Sequence, residues 1–162
     1  MEMVQLMKKA GKEIFLKSAG HDPEFIKGTL PFVDRYILEV KVPLDDPAGL
    51  TALTSYNEEQ ARAHLDGMRI LLEDIKEKEV MATIRVIPGY YDESRIDRIG
   101  KDLEGVVGIV HMTQFLSNPY DLPFGNAHFP SPSEDEMMTL GRCMRQHIPK
   151  VRVQGNGFDY WL

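Results

Sequence analysis

The chain has 162 residues, within the ~100–200 of one domain, and its 43% hydrophobic and 27% charged residues exclude wholesale disorder. Nineteen basic residues against 25 acidic give a net charge of −6, which argues against the clustered basic footprint of a nucleic-acid binder. The single cysteine, Cys143, excludes an internal disulfide and any metal or iron–sulfur site built from several cysteines of this sequence.

Met1-Glu2-Met3-Val4-Gln5 has neither the basic start nor the apolar run of a signal peptide. No stretch approaches the ~20 apolar residues of a membrane span. The expectation is a cytoplasmic protein that contacts no membrane.

Helix and strand alternate along the chain. Residues 2–10 read as a helix that stops at Gly11, a residue that accepts the left-handed conformation after a helix. Ile14-Phe15-Leu16 gives a short strand running into Lys17-Ser18-Ala19-Gly20-His21. Asp22-Pro23 starts a helix to about Leu30, with a capping carboxylate and a proline that sacrifices no hydrogen bond. A strand is expected over 34–42. In the long helix 58–77, Ala61, Leu65, Met68, Leu72 and Ile75 line one apolar face, while His64 falls on the polar side facing solvent. Asn57 and Gln60 supply its capping box. Strand 79–87 ends at Pro88-Gly89, and Asp92 caps a helix carrying Ile96, Ile99 and Leu103. Strand 106–114 precedes a loop, 116–132, with Pro119, Pro123, Pro130 and Pro132. Loops of that length in a compact domain are functional lids or disordered, and Phe124 and Phe129 favour a packed one. Ser133 and Glu136 form a second capping box for helix 134–146, where Cys143 is a small apolar residue. Lys150–Gln154 is a last strand. Gly155-Asn156-Gly157 marks a turn, and Phe158-Asp159-Tyr160-Trp161-Leu162 an aromatic tail docked on the domain.

Strands separated by helices indicate parallel βαβ units. The reading is one α/β domain over 1–162: a βα core to residue 115, the proline-rich loop 116–132, and a helix, strand and aromatic tail over 133–162. In parallel α/β folds ligands gather at the carboxyl ends of the strands. Those ends are polar here. Lys17 and Ser18 end the first strand. Glu39 and Lys41 share one face of the second, Thr83 and Arg85 one face of the third. The fourth has His111 and Thr113 on one face and Gln114 on the other. Charge on a buried strand is costly unless paired or used on a ligand, so mutual pairing and ligand binding are both open. His111, Asp121 and His128 have no metal-ligand spacing, and no metal is expected there.

Ile37-Leu38-Glu39-Val40-Lys41, then Leu53-Thr54-Ser55, then Ile84-Arg85-Val86-Ile87-Pro88-Gly89 with Asp92, resemble the radical S-adenosylmethionine family. The likeness is to the activating enzymes of glycyl-radical enzymes, such as those of pyruvate formate-lyase and anaerobic ribonucleotide reductase. Phe15–His21 resembles their threonine-asparagine-glycine strand end, with Ser18 and Ala19 substituted, and His111–Phe115 sits where their last barrel strand ends. The likeness runs in order over about residues 4–118. It implies a partial parallel (βα) barrel, TIM-barrel-like, with helices on the outer face. It also implies S-adenosylmethionine binding: Glu39 and Lys41 on the ribose and carboxylate, Arg85 near the carboxylate, Ile87 beside the adenine, and Gln114 or Phe115 near a position that is often histidine in the family. The family's CxxxCxxC loop and glycine-rich strand have no counterpart in this sequence, so a 4Fe-4S cluster is expected only if a missing segment supplies the cysteines. The expected function is the C-terminal part of an activase, truncated or split and not catalytic alone, acting on a glycyl-radical enzyme. The alternative is a non-catalytic binding or interaction module on the same partial barrel; an unrelated small αβ hydrolase or isomerase ranks below both. Strand 14–18 should leave an open edge, which predicts a homo-oligomer or a companion subunit.

Overall fold

The computed structural model describes residues 2–116 and 130–162. In chain order the elements are α1 (Glu2–Lys9), β1 (Phe15–Ser18), α2 (Pro23–Thr29), β2 (Arg35–Glu39), α3 (Pro47–Leu53), α4 (Glu58–Ile75), β3 (Glu79–Val86), α5 (Glu93–Leu103), β4 (Ile109–Gln114), α6 (Glu134–Met144), β5 (Lys150–Gly155) and β6 (Phe158–Trp161). The six strands form one sheet in the order β1-β2-β3-β4-β5-β6. The first five run parallel and β6 pairs antiparallel with β5.

Each crossover advances by one strand in the same direction. Right-handed crossovers that never reverse direction place their helices on one face of the sheet. The result is a partial parallel (βα) barrel with its helices outside.

Burial along the strands follows. Leu38, Ala82, Val110 and Val151 are register partners across β2, β3, β4 and β5, and all are fully buried under the helices. One residue earlier, Ile37, Met81 and Ile109 are only half-buried. The helices complete the core with Leu71, Ile75, Ile96, Ile99, Leu103, Met137 and Met144, each contributing roughly 1.5–3 kcal/mol through burial of apolar surface. Both capping boxes form, Asn57 with Gln60 and Ser133 with Glu136, and Asp22 and Asp92 cap α2 and α5.

The expected strand 34–42 stops at Glu39. Val40 N–H still reaches the Thr83 carbonyl at 2.9 Å, but Pro43 has no N–H to continue a ladder. Strand 79–87 ends at Val86 and strand 106–114 begins at Ile109. Helix α3 was not expected, although Asp46-Pro47 repeats the Asp-Pro start of α2 and Asp46 accepts from Gly49 N–H at 2.8 Å. Nor was β6: the turn at Asn156-Gly157, with Gly157 at φ +86°, folds the aromatic tail into a hairpin. The tail is docked on the domain as expected, through strand pairing with β5 and burial of Phe158, while Trp161 remains 59% exposed.

His64 is a further correction, being half-buried rather than solvent-facing. Its place between buried Ala61 and Met68 on α4 puts it at the margin of the apolar arc. Among the described residues, no helix is long and apolar enough to cross a membrane. Asp121, Phe124, His128 and Phe129, with Pro119 and Pro123, lie outside the described residues.

Candidate functional site

On the face opposite the helices, the strands present alternate residues in rows that the parallel register aligns. Glu39, Thr83, His111, Arg152 and Trp161 form one row across β2 to β6. Arg85, Thr113, Gln154 and Asp159 form the next, closer to the carboxyl ends of the parallel strands. Neighbours within a row are about 4.8 Å apart, the strand spacing. Both rows are polar or amphipathic throughout.

At the β2 end, Lys41 Nζ donates to Glu39 Oε1. That hydrogen bond holds the Glu39 carboxyl below its ordinary value against a smaller opposing effect of burial, and the charges of Lys41, Lys17 and Arg85 add to it. Lys41 lies beyond the last residue of β2, and its backbone is held from the loop after β3, where Tyr91 Oη donates to the Lys41 carbonyl at 2.6 Å. Burial raises the Tyr91 phenol strongly, so Tyr91 stays a neutral donor. Lys17 and Arg85 are exposed and make no hydrogen bond or ion pair among the described residues.

At the other side, Arg152 grips Asp159 with two N–H groups, at 2.9 and 2.5 Å. Gln154 Nε2 donates to the same carboxylate at 3.3 Å, and Gln154 Oε1 lies 3.0 Å from His111 Nε2. Burial, with the Arg152 charge behind it, pushes the His111 imidazole below its ordinary value. Thr83 and Thr113 hydroxyls donate to the Leu38 and Ile84 carbonyls, each at 3.4 Å.

The six residues singled out by sequence are thus divided. Glu39, Lys41 and Arg85 share the inner face. Ile87 lines a cleft of about 340 Å³ between the loop after β3, the start of α5 and the first two turns of α6, with Pro88, Tyr91, Asp92 and Leu140 among its walls. Gln114 has both ends of its amide engaged: Nε2 donates to the Pro132 carbonyl and Oε1 accepts from Asn156 N–H, each at 2.7 Å. Its visible work is to tie two loops to the end of β4. Phe115 is half-buried, and its N–H extends the ladder to the Val86 carbonyl at 3.1 Å.

A ring cluster beside Glu39 and Lys41 escaped the sequence reading. His21, Tyr56 and His64 line a narrow cleft with those two residues, their ring centroids 5.2 to 5.9 Å apart. Tyr56 Oη and His21 Nδ1 are hydrogen-bonded. Burial, then the charges of His21 and Lys41, lower the His64 imidazole. The missed signal is positional: His64 stands three residues after Ala61 and four before Met68, a helical spacing shared with core residues.

Among the described residues, no three His, Cys, Asp or Glu side chains converge as a metal site. Cys143 lies on the helix side, buried in α6, with its Sγ 3.3 Å from the Glu93 carbonyl, and burial raises its thiol. Apart from the Arg152–Asp159 pair on β5 and β6, the inner face therefore offers Lys17, Lys41 and Arg85 with the Glu39 carboxylate. That is a surface suited to a ligand carrying both signs of charge.

The crystal structure of a domain of pyruvate-formate lyase-activating enzyme from Bacteroides vulgatus is similar to this chain, with a TM-score of 0.69 over 96% of this chain and 88% of that one. The sequences are 14% identical, so the likeness is one of fold. No protein-family model and no curated protein matches the chain.

Proposed function

We propose that the inner face binds S-adenosylmethionine, and that the chain serves as the cofactor-binding part of a radical S-adenosylmethionine activating system. The observation that carries this reading is the Glu39–Lys41 ion pair beside Arg85, which has no ion-pair partner among the described residues, at the carboxyl ends of neighbouring parallel strands. The fold shared with a domain of an activating enzyme supports it.

The donor set suits the ligand's chemistry. One Lys41 N–H is directed at Glu39 Oε1, leaving two for a ligand oxygen, while Glu39 Oε2 is left to accept from a ribose hydroxyl. The Arg85 guanidinium presents parallel N–H groups that match a carboxylate. Bound there, S-adenosylmethionine would supply an activated sulfonium; this chain's own residues bind and orient it. Ile87 lines the α5–α6 cleft, so an adenine beside it would extend from the inner face across the end of β3. Gln114 and Phe115 bound that strand end from β4.

A 4Fe-4S cluster does not fit this chain. The one thiol is buried on the helix side of the sheet, and one thiolate does not replace three. Cluster ligands would have to come from another polypeptide segment, with a glycyl-radical enzyme as the target. The same observation favours a second reading, a non-catalytic binding module that keeps the pocket without the radical chemistry. The outer side of β1, unpaired among the described residues, together with exposed Met3, Leu6 and Phe15, would take a second copy or a companion subunit.

Calorimetric titration with S-adenosylmethionine tests the binding. The expected result is saturable heat that Arg85→Ala and Lys41→Ala each weaken about tenfold or more, the worth of a charge-assisted hydrogen bond. Absence of heat at millimolar ligand with folded protein, or affinity untouched by both substitutions, would overturn the reading.

A further inference from the structure

Three rings from three parts of the chain converge on the narrow cleft beside Glu39 and Lys41. His21 follows the end of β1, and the turn that presents it presses on α4: a Cβ at Gly20, itself at φ +79°, would collide with the Met68 side chain. His64 stands one turn before Met68 on that helix. Tyr56 immediately precedes the Asn57 cap of α4. Its loop is held by Thr54, whose hydroxyl donates to the Leu50 carbonyl at 2.7 Å and accepts from Tyr56 N–H at 3.3 Å. Backbone and packing thus fix all three rings, with Tyr56 Oη hydrogen-bonded to His21 Nδ1.

The spacing matches that of rings sharing an ion. With metal–nitrogen bonds of about 2.0–2.1 Å, two imidazoles on one tetrahedral ion have ring centres roughly 5 Å apart, and a phenolate ring lies roughly 6 Å from each. The centres of His21 and His64 are 5.2 Å apart, and that of Tyr56 lies 5.9 and 5.7 Å from them.

The donor chemistry agrees. His64 is half-buried and makes no hydrogen bond among the described residues. Burial, then the charges of His21 and Lys41, keep its imidazole in the neutral form that ligates metals. His21 is exposed, which leaves a side open to water. Lys41, the cation in the cleft, is paired with Glu39, which offsets its repulsion of an incoming ion. With tyrosine as the third donor, the set lies outside the His, Cys, Asp and Glu groupings that yield no metal site among the described residues.

We propose that His21, Tyr56 and His64 form a site for a divalent first-row transition ion, with two imidazole nitrogens and a phenolate oxygen as ligands and water completing the set. The ion takes the place of the proton shared by His21 Nδ1 and Tyr56 Oη; the phenol becomes phenolate and its proton leaves to solvent. Imidazole suits zinc, copper and nickel, whereas magnesium and calcium take oxygen ligands. The site needs no S-adenosylmethionine, so it stands or falls separately from inner-face binding of that cofactor.

The full chain, stripped with a chelator, is titrated with Zn(II) and with Cu(II) at pH 7.5. One ion should bind per chain at micromolar or tighter affinity, with release of about one proton, and Mg(II) should not compete. His21→Ala and His64→Ala should each weaken binding about tenfold or more, with the native circular dichroism retained. Cu(II) should give a phenolate-to-copper charge-transfer band in the visible that Tyr56→Phe abolishes, a readout that does not depend on either histidine variant folding. His147→Gln, which removes the histidine paired with Asp97, should change nothing. The inference is overturned by the lack of saturable binding below millimolar ion, or by copper binding without the charge-transfer band. Binding lost in His147→Gln but kept in both the His21 and His64 variants would overturn it as well.

Discussion

The two faces of the sheet differ one residue at a time along the same strands. Leu38, Ala82, Val110 and Val151 are fully buried beneath the helices; the next residues, Glu39, Thr83, His111 and Arg152, form the polar inner row. A strand's period of two delivers both sets from one backbone. Stability is concentrated on one face, and the groups capable of chemistry on the other. The partition permits charged residues inside a parallel sheet, because ions such as Glu39 and Lys41 are paired and, at 41% and 30% exposure, keep part of their water.

Substitutions at adjacent residues should expose the difference most strongly. Ile84→Ala opens a cavity under the helices and should cost about 2–5 kcal/mol, a large share of a typical total of about 5–15 kcal/mol. Arg85, one residue on, is exposed and without an ion-pair partner among the described residues, so Arg85→Ala should change stability by less than about 0.5 kcal/mol. Urea unfolding of the two variants reads both; comparable losses would dissolve the distinction between the faces.

Next in size is the α5 cap on the helix side. Asp92 accepts from Arg95 N–H at 2.7 Å, so Asp92→Ala should cost about 1 kcal/mol, again by urea midpoint. Asp92→Asn should recover most of it.

A smaller effect has a definite sign. His64 and His111 both lie below the ordinary imidazole value in the folded chain. As pH falls through about 6.5, the unfolded chain protonates first, so it binds more protons and stability decreases. The contribution is full above that value and is lost as pH drops through the folded values. The urea midpoint should therefore be lower at pH 5.5 than at pH 7.5, and His64→Gln or His111→Gln should each flatten the dependence. A midpoint that rises on acidification over this window would contradict the burial of both rings.

Much of the helix-covered face was legible in the sequence, because apolar periodicity and capping chemistry are local signals. Asn57 with Gln60 and Ser133 with Glu136 both formed as their spacing required. α3 was equally legible from Asp46-Pro47 and was passed over because its seven residues are too few for a clear periodicity. β6 depended on a hairpin turn whose pairing partner, β5, sequence spacing alone does not name. The inner face was half legible. Alternation placed Glu39, Thr83, Arg85 and His111 on one side of their strands, but not which cations would remain unpaired. Gln114 illustrates the limit: its position at a strand end resembles that of a ligand residue, yet its amide is engaged by the Pro132 carbonyl and the Asn156 N–H. Those partners are 18 and 42 residues away and have no trace in local pattern. His64 shows the converse, a polar residue at a core-facing helical position.

The most direct test of inner-face binding is a methyl-resolved NMR titration with S-adenosylmethionine, observing neighbours that point to opposite sides of the sheet. Binding on the inner face should shift the methyl signals of Thr83, Thr113 and Met81 while leaving those of Ala82 and Met112 in place. Saturable shifts confined to Ala82 and Met112, or no shifts at millimolar ligand, would contradict it.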